Sequence, residues 1–156
     1  NLIMSTVNVI RSSKDDYVST KTKVNVYIYC YSIPILNLYN EYYDIIKILS
    51  NASNITLTTH ADTIPNGCII STNGNSCDVY IVLKGLIDIS KEITKTEIKL
   101  GKVEQNISNI NKLMDNLEYS TKVPQSIQQS NTDKIHSCLD EYKKLKLILE
   151  NLKIAQ

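Results

Sequence analysis

Four lysines in the second half of the chain have a spacing that could do chemistry. They are Lys91, Lys95, Lys99 and Lys102. Intervals of four, four and three residues place all four ammonium groups on one strip of an α-helix. Such a strip can neutralise the phosphates of a nucleic acid, in binding that depends on salt and little on base sequence. The alternative is an ordinary solvated helix face, because Glu92, Glu97 and Glu104 are interspersed, and the spacing alone favours this alternative.

The residues that usually ligate metals or attack substrates show no comparable pattern. The cysteines are Cys30, Cys68, Cys77 and Cys138, and no CxxC pair joins them. His136 lies close to Cys138, but a helix would point the two in different directions. We predict no catalytic residue and no metal site, and structural roles for the cysteines in a reducing cytosol. A thiol or metal enzyme built on Cys68, Cys77 and His60 is the weakest alternative.

The lysines lie in a segment with a sustained heptad pattern. Its apolar positions alternate by threes and fours, with one threonine among them: Leu86, Ile89, Ile93, Thr96, Leu100, Val103, Ile107, Ile110, Met114 and Leu117. The pattern resumes at Ile135, Cys138, Tyr142, Leu145, Leu149 and Leu152. Asp88 is the predicted N-cap of the first helix. Residues 86–156 are therefore predicted to form a long antiparallel two-helix coiled coil. Pro124 opens the second helix, and most of the surface of the coiled coil faces solvent.

The segment before the heptads has a different pattern. Residues 1–18 read as one helix, and residues 19–85 as a small mixed α/β module. The module consists of a strand, a helix, a strand and a hairpin: Val24–Tyr31, Ile35–Leu49, Asn54–His60, and two strands flanking Asn73-Gly74. If these two residues form the whole loop, Cys68 and Cys77 share one face of the sheet. The predicted fold class is α+β, a strand-helix-strand-hairpin module followed by the coiled coil.

Composition narrows the class of protein further. The chain has 156 residues, with 17 basic and 16 acidic side chains, so its bulk charge argues against a histone-like or membrane-coating protein. No apolar run is long enough to cross a membrane. Residues 84–156 carry 12 basic and 10 acidic side chains, so the basic excess lies in the heptad segment. Because the chain begins with Asn1, without an initiator methionine, we expect it to be a piece of a longer polypeptide.

Several motifs together resemble one known family. Lys84-Gly85-Leu86-Ile87-Asp88 runs into a heptad helix, and about thirty residues later comes the tip Tyr119–Pro124, followed by Gln128 and Asn131. In this order they resemble the C-terminal arm of valyl-tRNA synthetases of the cytosolic eukaryotic type. Upstream, Ile10-Arg11-Ser12 resembles the end of the last helix of the anticodon-binding domain in that family.

The resemblance implies a part of a class I ligase that joins valine to its tRNA with ATP. In this family the arm lies against the outer corner of the tRNA, where the D and T loops meet. The adenylate-forming motifs and the editing domain are absent, so this part is expected to be inactive alone and to bind no cofactor, with ATP and magnesium bound elsewhere in the full-length enzyme. The expected partners are tRNA(Val) and the rest of the synthetase, in a monomeric cytoplasmic enzyme without a membrane contact. The resemblance implies tRNA contact by the arm as a whole and not by any one lysine. The candidate tRNA-binding residues are Lys91, Lys95, Lys99, Lys102, Lys122 and Arg11.

Two features complete the prediction. Gly101 within the arm helix costs about 1 kcal/mol relative to alanine, and Ser13-Lys14-Asp15 is less basic than the family's usual continuation, so a weaker grip on tRNA is expected. The competing function is a protein-interaction or dimerisation module that uses the same arm without binding nucleic acid.

Overall fold

The computed structural model describes residues 1–156 as an α+β chain with four strands and six helices, as the predicted fold class requires. The elements are α1 (Leu2–Asp15), β1 (Val24–Cys30), α2 (Ile33–Glu41), α3 (Tyr43–Leu49), β2 (Ala52–Thr58), β3 (Cys68–Asn73), β4 (Cys77–Val82), α4 (Ile89–Met114), α5 (Tyr119–Lys122) and α6 (Gln125–Ala155). They form two compact units, Asn1–Ile89 with Asn151–Gln156, and Ser90–Glu150. None of the helices combines the length and apolar character needed to span a bilayer.

A four-stranded sheet organises the first unit, in the order β2-β1-β4-β3. β1 pairs in parallel with β2 and antiparallel with β4, which in turn pairs antiparallel with β3. On one face, Val26 and Ile28 of β1 lie opposite Ile81 and Val79 of β4, and all four are at most 1% exposed. Helices α1, α2 and α3 cover this face. Apart from Cys68, which is 6% exposed, the alternate residues of the strands are half-buried or exposed, so the second face is largely open.

Helix α1 supplies much of the cover. The Asn1 side chain accepts a hydrogen bond from the Ile3 amide at 2.8 Å and thereby caps the helix. Ile3, Val7 and Ile10 are buried, and α1 contacts β3, β4 and α3. The predicted terminal helix is therefore present, and its apolar face packs on the sheet of its own unit. Its assignment to an anticodon-binding domain stays a prediction.

The single helix predicted over Ile35–Leu49 is two helices. The helix is interrupted at Tyr42, which lies between α2 and α3 and has φ of −102° and ψ of 20°. Tyr39 and Ile46, seven residues apart, provide the buried contacts, whereas Tyr42 and Ile45 are 38% and 48% exposed. Apolar residues occur on more than one side of this segment, so periodicity alone did not identify the covered side.

The predicted hairpin is present, but the register predicted for it is wrong. Asn73 pairs with Cys77, which leaves a three-residue loop instead of the two residues Asn73-Gly74. Cys68 consequently lies opposite Val82, on the open face, while Cys77 lies on the helix-covered face opposite Cys30 of β1. The cysteines predicted to share a face are on opposite faces, because an odd shift in register exchanges the two faces of a strand.

Candidate nucleic-acid interface

The predicted lysine strip lies on α4, which packs against α6 in the second unit. Helix α4 has 26 residues and is about 39 Å long at 1.5 Å per residue. Its Ile93, Leu100 and Val103 are buried, as are Leu145 and Leu149 of α6. These heptad positions, along which α4 and α6 pack, form the seam of the arm. Thr96, the polar member of the seam, is also buried, and its hydroxyl donates a hydrogen bond to the Glu92 carbonyl at 2.8 Å. The prediction that the C-terminal helix pairs with an earlier helix is confirmed.

The seam loosens towards the tip. Ile107 and Ile110 are half-buried, and shallow grooves beside them are lined by residues of both helices, with Ile107 beside Tyr142 and Ile110 beside Cys138. The residue number rises along α4 as that of its neighbour on α6 falls, so the helices are antiparallel. The predicted ends of the first seam are wrong, because α4 spans only Ile89–Met114. Leu86 is 45% exposed and Leu117 is 96% exposed, both outside the helix.

All four strip lysines are exposed on α4. At about 100° per residue they lie within an arc of about 80°. Glu97 and Glu104 fall on the far side of the helix on the same geometry. Of these three glutamates only Glu92 borders the strip, and it lies 3.5 Å from the Lys95 ammonium group. Exposed pairs of this kind contribute little energy. The glutamates interspersed in sequence therefore separate in space and leave a predominantly positive strip.

The tip between the two helices is ordered by buried polar contacts. Tyr119 is 8% exposed and Asn131 is 7% exposed, and the Asn131 amide donates to the Tyr119 hydroxyl oxygen at 2.9 Å. The Gln128 amide donates to the carbonyls of Val123 at 2.9 Å, and of Tyr119 and Ser120 at 3.3 Å each. The Tyr119 carbonyl also accepts a hydrogen bond from the Val123 amide at 3.2 Å, so the Gln128 amide adds bonds chiefly to the Ser120 and Val123 carbonyls at the end of α5. The residues that carried the tip motif are thus the ones that fix its conformation.

The two remaining predicted tRNA-binding residues lie elsewhere. Lys122 is exposed on α5 at the tip, where its ammonium group is 2.8 Å from Glu118. Arg11 is exposed on α1, in the first compact unit. The structure therefore groups the four lysines of α4 on one strip, and places Lys122 and Arg11 on other elements.

Helix α6 contributes cations that the sequence analysis did not single out. They are Lys134, Lys143, Lys144, Lys146 and Lys153. Their intervals of nine, one, two and seven residues scatter them around the helix, so periodicity gave no signal for them. The Lys146 ammonium lies 5.8 Å from the centroid of the Tyr142 ring. This is within the range of a cation–π contact, which ties that lysine to its own helix.

The thiols and histidines are not arranged for chemistry. Burial raises the pKa of the Cys30 thiol to about 12, and burial likewise raises the pKa of Cys68 and Cys77. Thiols with raised pKa values are poor nucleophiles. Exposed His60 follows β2 at one edge of the sheet, whereas Cys68 lies on β3 at the other edge. No group of three or more His, Cys, Asp or Glu side chains in residues 1–156 could hold a metal ion.

Comparison with known proteins identifies the family of the chain. No protein-family model matches the chain. The valine–tRNA ligase of Takifugu rubripes is 31% identical over 97% of the chain, and that of Caenorhabditis elegans is 27% identical over 94%. The mitochondrial valine–tRNA ligase of Saccharomyces cerevisiae is 28% identical over 70%. The chain belongs to the valine–tRNA ligase family.

The chain corresponds to a small part of the length of its relatives. The chain spans 12% of the length of the Takifugu rubripes enzyme and 14% of the Caenorhabditis elegans enzyme. Both matches cover nearly the whole chain, so they include the sheet of the first unit and the paired helices of the second. This chain is accordingly a valine–tRNA ligase segment with an α/β unit and a helical arm, the arm being residues 90–150.

Proposed function

We propose that this chain is the C-terminal part of a valine–tRNA ligase and that its arm, as a coiled coil, grips the outer corner of tRNA(Val). The observation that carries the proposal is the strip of four exposed lysines on α4, with Glu97 and Glu104 turned away from it. An ammonium group that replaces counterions along a phosphate backbone gives binding with little dependence on base sequence. The names of the relatives supply the nucleic acid that such an enzyme must hold.

The arm would contribute binding energy far from the reacting atoms. Energy of this kind orients the acceptor end of the tRNA and helps the reaction at a distant centre. On this proposal the segment catalyses nothing alone, and ATP and magnesium are bound by other parts of the full-length ligase. We further propose a monomeric enzyme of the cytoplasm, although one of the relatives is a mitochondrial ligase.

The proposal is tested in a full-length ligase that carries this segment. Replacing Lys91, Lys95, Lys99 and Lys102 by glutamate should raise KM for tRNA and leave valine activation, measured by pyrophosphate exchange, unchanged. If all four lysines contact phosphates, the slope of log K against log salt for tRNA binding should fall by about three.

A matched variant separates the strip from net charge. Glutamate at four exposed lysines outside the strip changes the total charge by the same amount: Lys112, Lys134, Lys143 and Lys153. This control should affect tRNA binding much less. Equal losses in both variants, or unchanged tRNA affinity in the strip variant, would reject the strip as the site.

One observation favours a second function for the arm, as an interaction or dimerisation module. Beyond the buried part of the seam, Leu113, Ile127 and Leu147 are each at least 50% exposed. Exposed apolar side chains of this kind are a feature of helices that meet a partner. Sedimentation of the chain as a concentration-dependent dimer, together with no tRNA binding at any salt concentration, would establish this module in place of the tRNA grip.

A further inference from the structure

The open face of the sheet carries an unusual concentration of aromatic side chains. Four of the ten tyrosines of the chain lie on it or directly after it: Tyr27, Tyr29, Tyr31 and Tyr80. Tyr27 lies directly opposite Tyr80 on the neighbouring strand. The rings of Tyr29 and Tyr31 meet edge to face, with centroids 5.6 Å apart. The three strand tyrosines are half-buried on a face that α1, α2 and α3 leave uncovered.

The spacing of the rings suits flat ligands. Tyr27 and Tyr29 are two residues apart on one strand, and thus about 7 Å apart. Each ring can therefore receive a separate base. Base stacking on aromatic side chains of an open sheet is a common way for proteins to hold unpaired nucleotides.

The tyrosines of the open face, Tyr27, Tyr29 and Tyr80, form a platform, and a cavity of about 370 Å³ adjoins it beside Tyr80. Its walls include Pro65, Ile70 and Tyr80, and the last residues of the chain, Ile154 and Gln156, close its other side. All of these residues belong to the first compact unit. A cavity of this size is of the order that small planar ligands occupy, and its walls are polar and apolar in similar measure.

The charges around the face suit a polynucleotide better than an acidic protein surface or an apolar one. Exposed Lys23 precedes β1 and exposed Lys84 follows β4, and because these strands are antiparallel both lysines lie at the same end of the sheet. The one carboxylate on the face, Asp78, already accepts hydrogen bonds from the hydroxyls of Tyr31 and Thr72. These neutral donors engage its oxygens but leave its negative charge in place.

We propose that this open face binds unpaired nucleotides of tRNA, with bases stacked on Tyr27, Tyr29 and Tyr80 and phosphates held by Lys23 and Lys84. The inference rests on the proposed function in one respect, namely that the enzyme's nucleic-acid partner is a tRNA. It adds a second contact, made by stacking, to the electrostatic contact proposed for the arm.

The test uses a fluorescein-labelled single-stranded 12-nucleotide RNA of mixed sequence and the 156-residue chain, with binding followed by anisotropy. The variant carries Tyr27→Ile, Tyr29→Ile and Tyr80→Ile, which keeps apolar bulk and strand propensity but removes the ring faces. Since one stacked base contributes about 1–3 kcal/mol, binding should weaken at least about fivefold. Tyr42→Ile, at a 38% exposed tyrosine on the helical side, is the matched control and should bind like the unmodified chain.

A second measurement needs no substitution. Photocrosslinking of the unmodified chain to the same RNA containing 4-thiouridine should join it to peptides from β1 and β4. Crosslinks confined to arm peptides, no crosslinks, or unaltered affinity in the isoleucine variant would overturn the proposal.

The two proposals fail separately. The lysine-strip variants report on salt-dependent tRNA binding, whereas the isoleucine variant reports on the binding of single-stranded RNA to the sheet. Loss of tRNA affinity in the strip variant with no effect of the isoleucine substitutions keeps the arm and rejects the platform. The reverse pattern keeps the platform and rejects the strip.

Discussion

The phenol of Tyr119 has a role at the tip that the aromatic ring alone cannot fill. Its oxygen accepts a hydrogen bond from the Asn131 amide at 2.9 Å, and both side chains are buried. Tyr119→Phe leaves that amide without this partner, so we expect the free energy of unfolding to fall by about 1–3 kcal/mol. Urea unfolding measures the loss.

A double-mutant cycle checks the cause of this loss. Asn131→Leu combined with Tyr119→Phe removes both partners, so the double variant should be more stable than the sum of the two single losses predicts. Strictly additive losses would mean that the hydrogen bond contributes nothing and that the ring packing alone matters.

Lys14 is the second residue whose environment makes a clear prediction. It is 2% exposed, and its ammonium group donates to the Thr22 carbonyl at 2.7 Å. Burial holds the pKa of Lys14 below its ordinary value of 10.5, an effect that nearby Asp15 opposes. Between the lowered pKa and 10.5 the unfolded chain binds more protons at this site than the folded chain. The free energy of unfolding therefore gains a contribution that rises with pH across this window.

Lys14→Met removes that contribution. Urea unfolding of both proteins at about pH 8 and about pH 10.5 should show a difference in stability that shifts towards the unmodified chain at the higher pH. Tyrosines that titrate in the same range are common to both proteins and cancel in the comparison. Parallel pH dependences would show that Lys14 keeps its ordinary proton affinity when buried.

At the level of single residues, the sequence predicted features that follow a period, but it did not predict which side chains or strand positions lie opposite each other. The lysine strip follows from spacing alone, because the helix that carries it converts intervals of three and four into one face. The pairing of Asn131 with Tyr119 does not follow from spacing, since it depends on how the tip folds. The opposite faces of Cys68 and Cys77 depend on strand register, which one additional loop residue changes.

Among the elements, two glycines offer opposite predictions for the same substitution. Gly67 precedes β3 with φ at +84°, and a Cβ there would lie 2.5 Å from the Lys84 Cβ. Gly67→Ala should therefore lower the free energy of unfolding by more than about 1 kcal/mol. Gly101 lies exposed within α4 with no atom near its missing side chain, so Gly101→Ala should raise helix stability by about 1 kcal/mol.

Thermal unfolding of the two alanine variants measures both effects. Destabilisation by alanine at position 101, or tolerance of it at position 67, would contradict the backbone conformations described for α4 and for the turn before β3. The pair is a useful comparison because the change in side-chain volume is the same at both sites.

Element type was easier to predict than element boundary. β1 and α1 were placed nearly correctly, because a run of β-branched and aromatic residues and a helical repeat are strong local signals. The break at Tyr42 was missed, since no proline or glycine marks it. The hairpin loop was predicted one residue too short, because Asn73-Gly74 is the usual two-residue signal but Asn73 here remains in β3 as the partner of Cys77.

At the scale of the whole molecule, the chain forms two units, and α6 contributes to both. Residues up to Glu150 belong to the arm, while Asn151–Gln156 belong to the α/β unit, where Leu152 is 1% exposed and the Asn151 amide donates to the Tyr17 hydroxyl at 3.1 Å. The heptad pattern predicted α6 as one continuous helix. It did not predict where the helix passes from one unit into the other, because periodicity does not reveal which neighbour covers each turn.

The seam of the arm allows the independence of the two units to be measured. Leu100 is 8% exposed between α4 and α6, so Leu100→Ala should cost about 2 kcal/mol, the low end for a leucine in a partly open core. If the units unfold separately, native-state hydrogen exchange should accelerate in α4 and in α6 before Asn151, while the amides of β1 and β4 keep their protection. Uniform acceleration across β1, β4 and α4 would instead mean that the arm and the sheet unfold as one cooperative unit. The expected result would allow seam variants to test the tRNA grip of the arm without disturbing the tyrosine platform of the sheet.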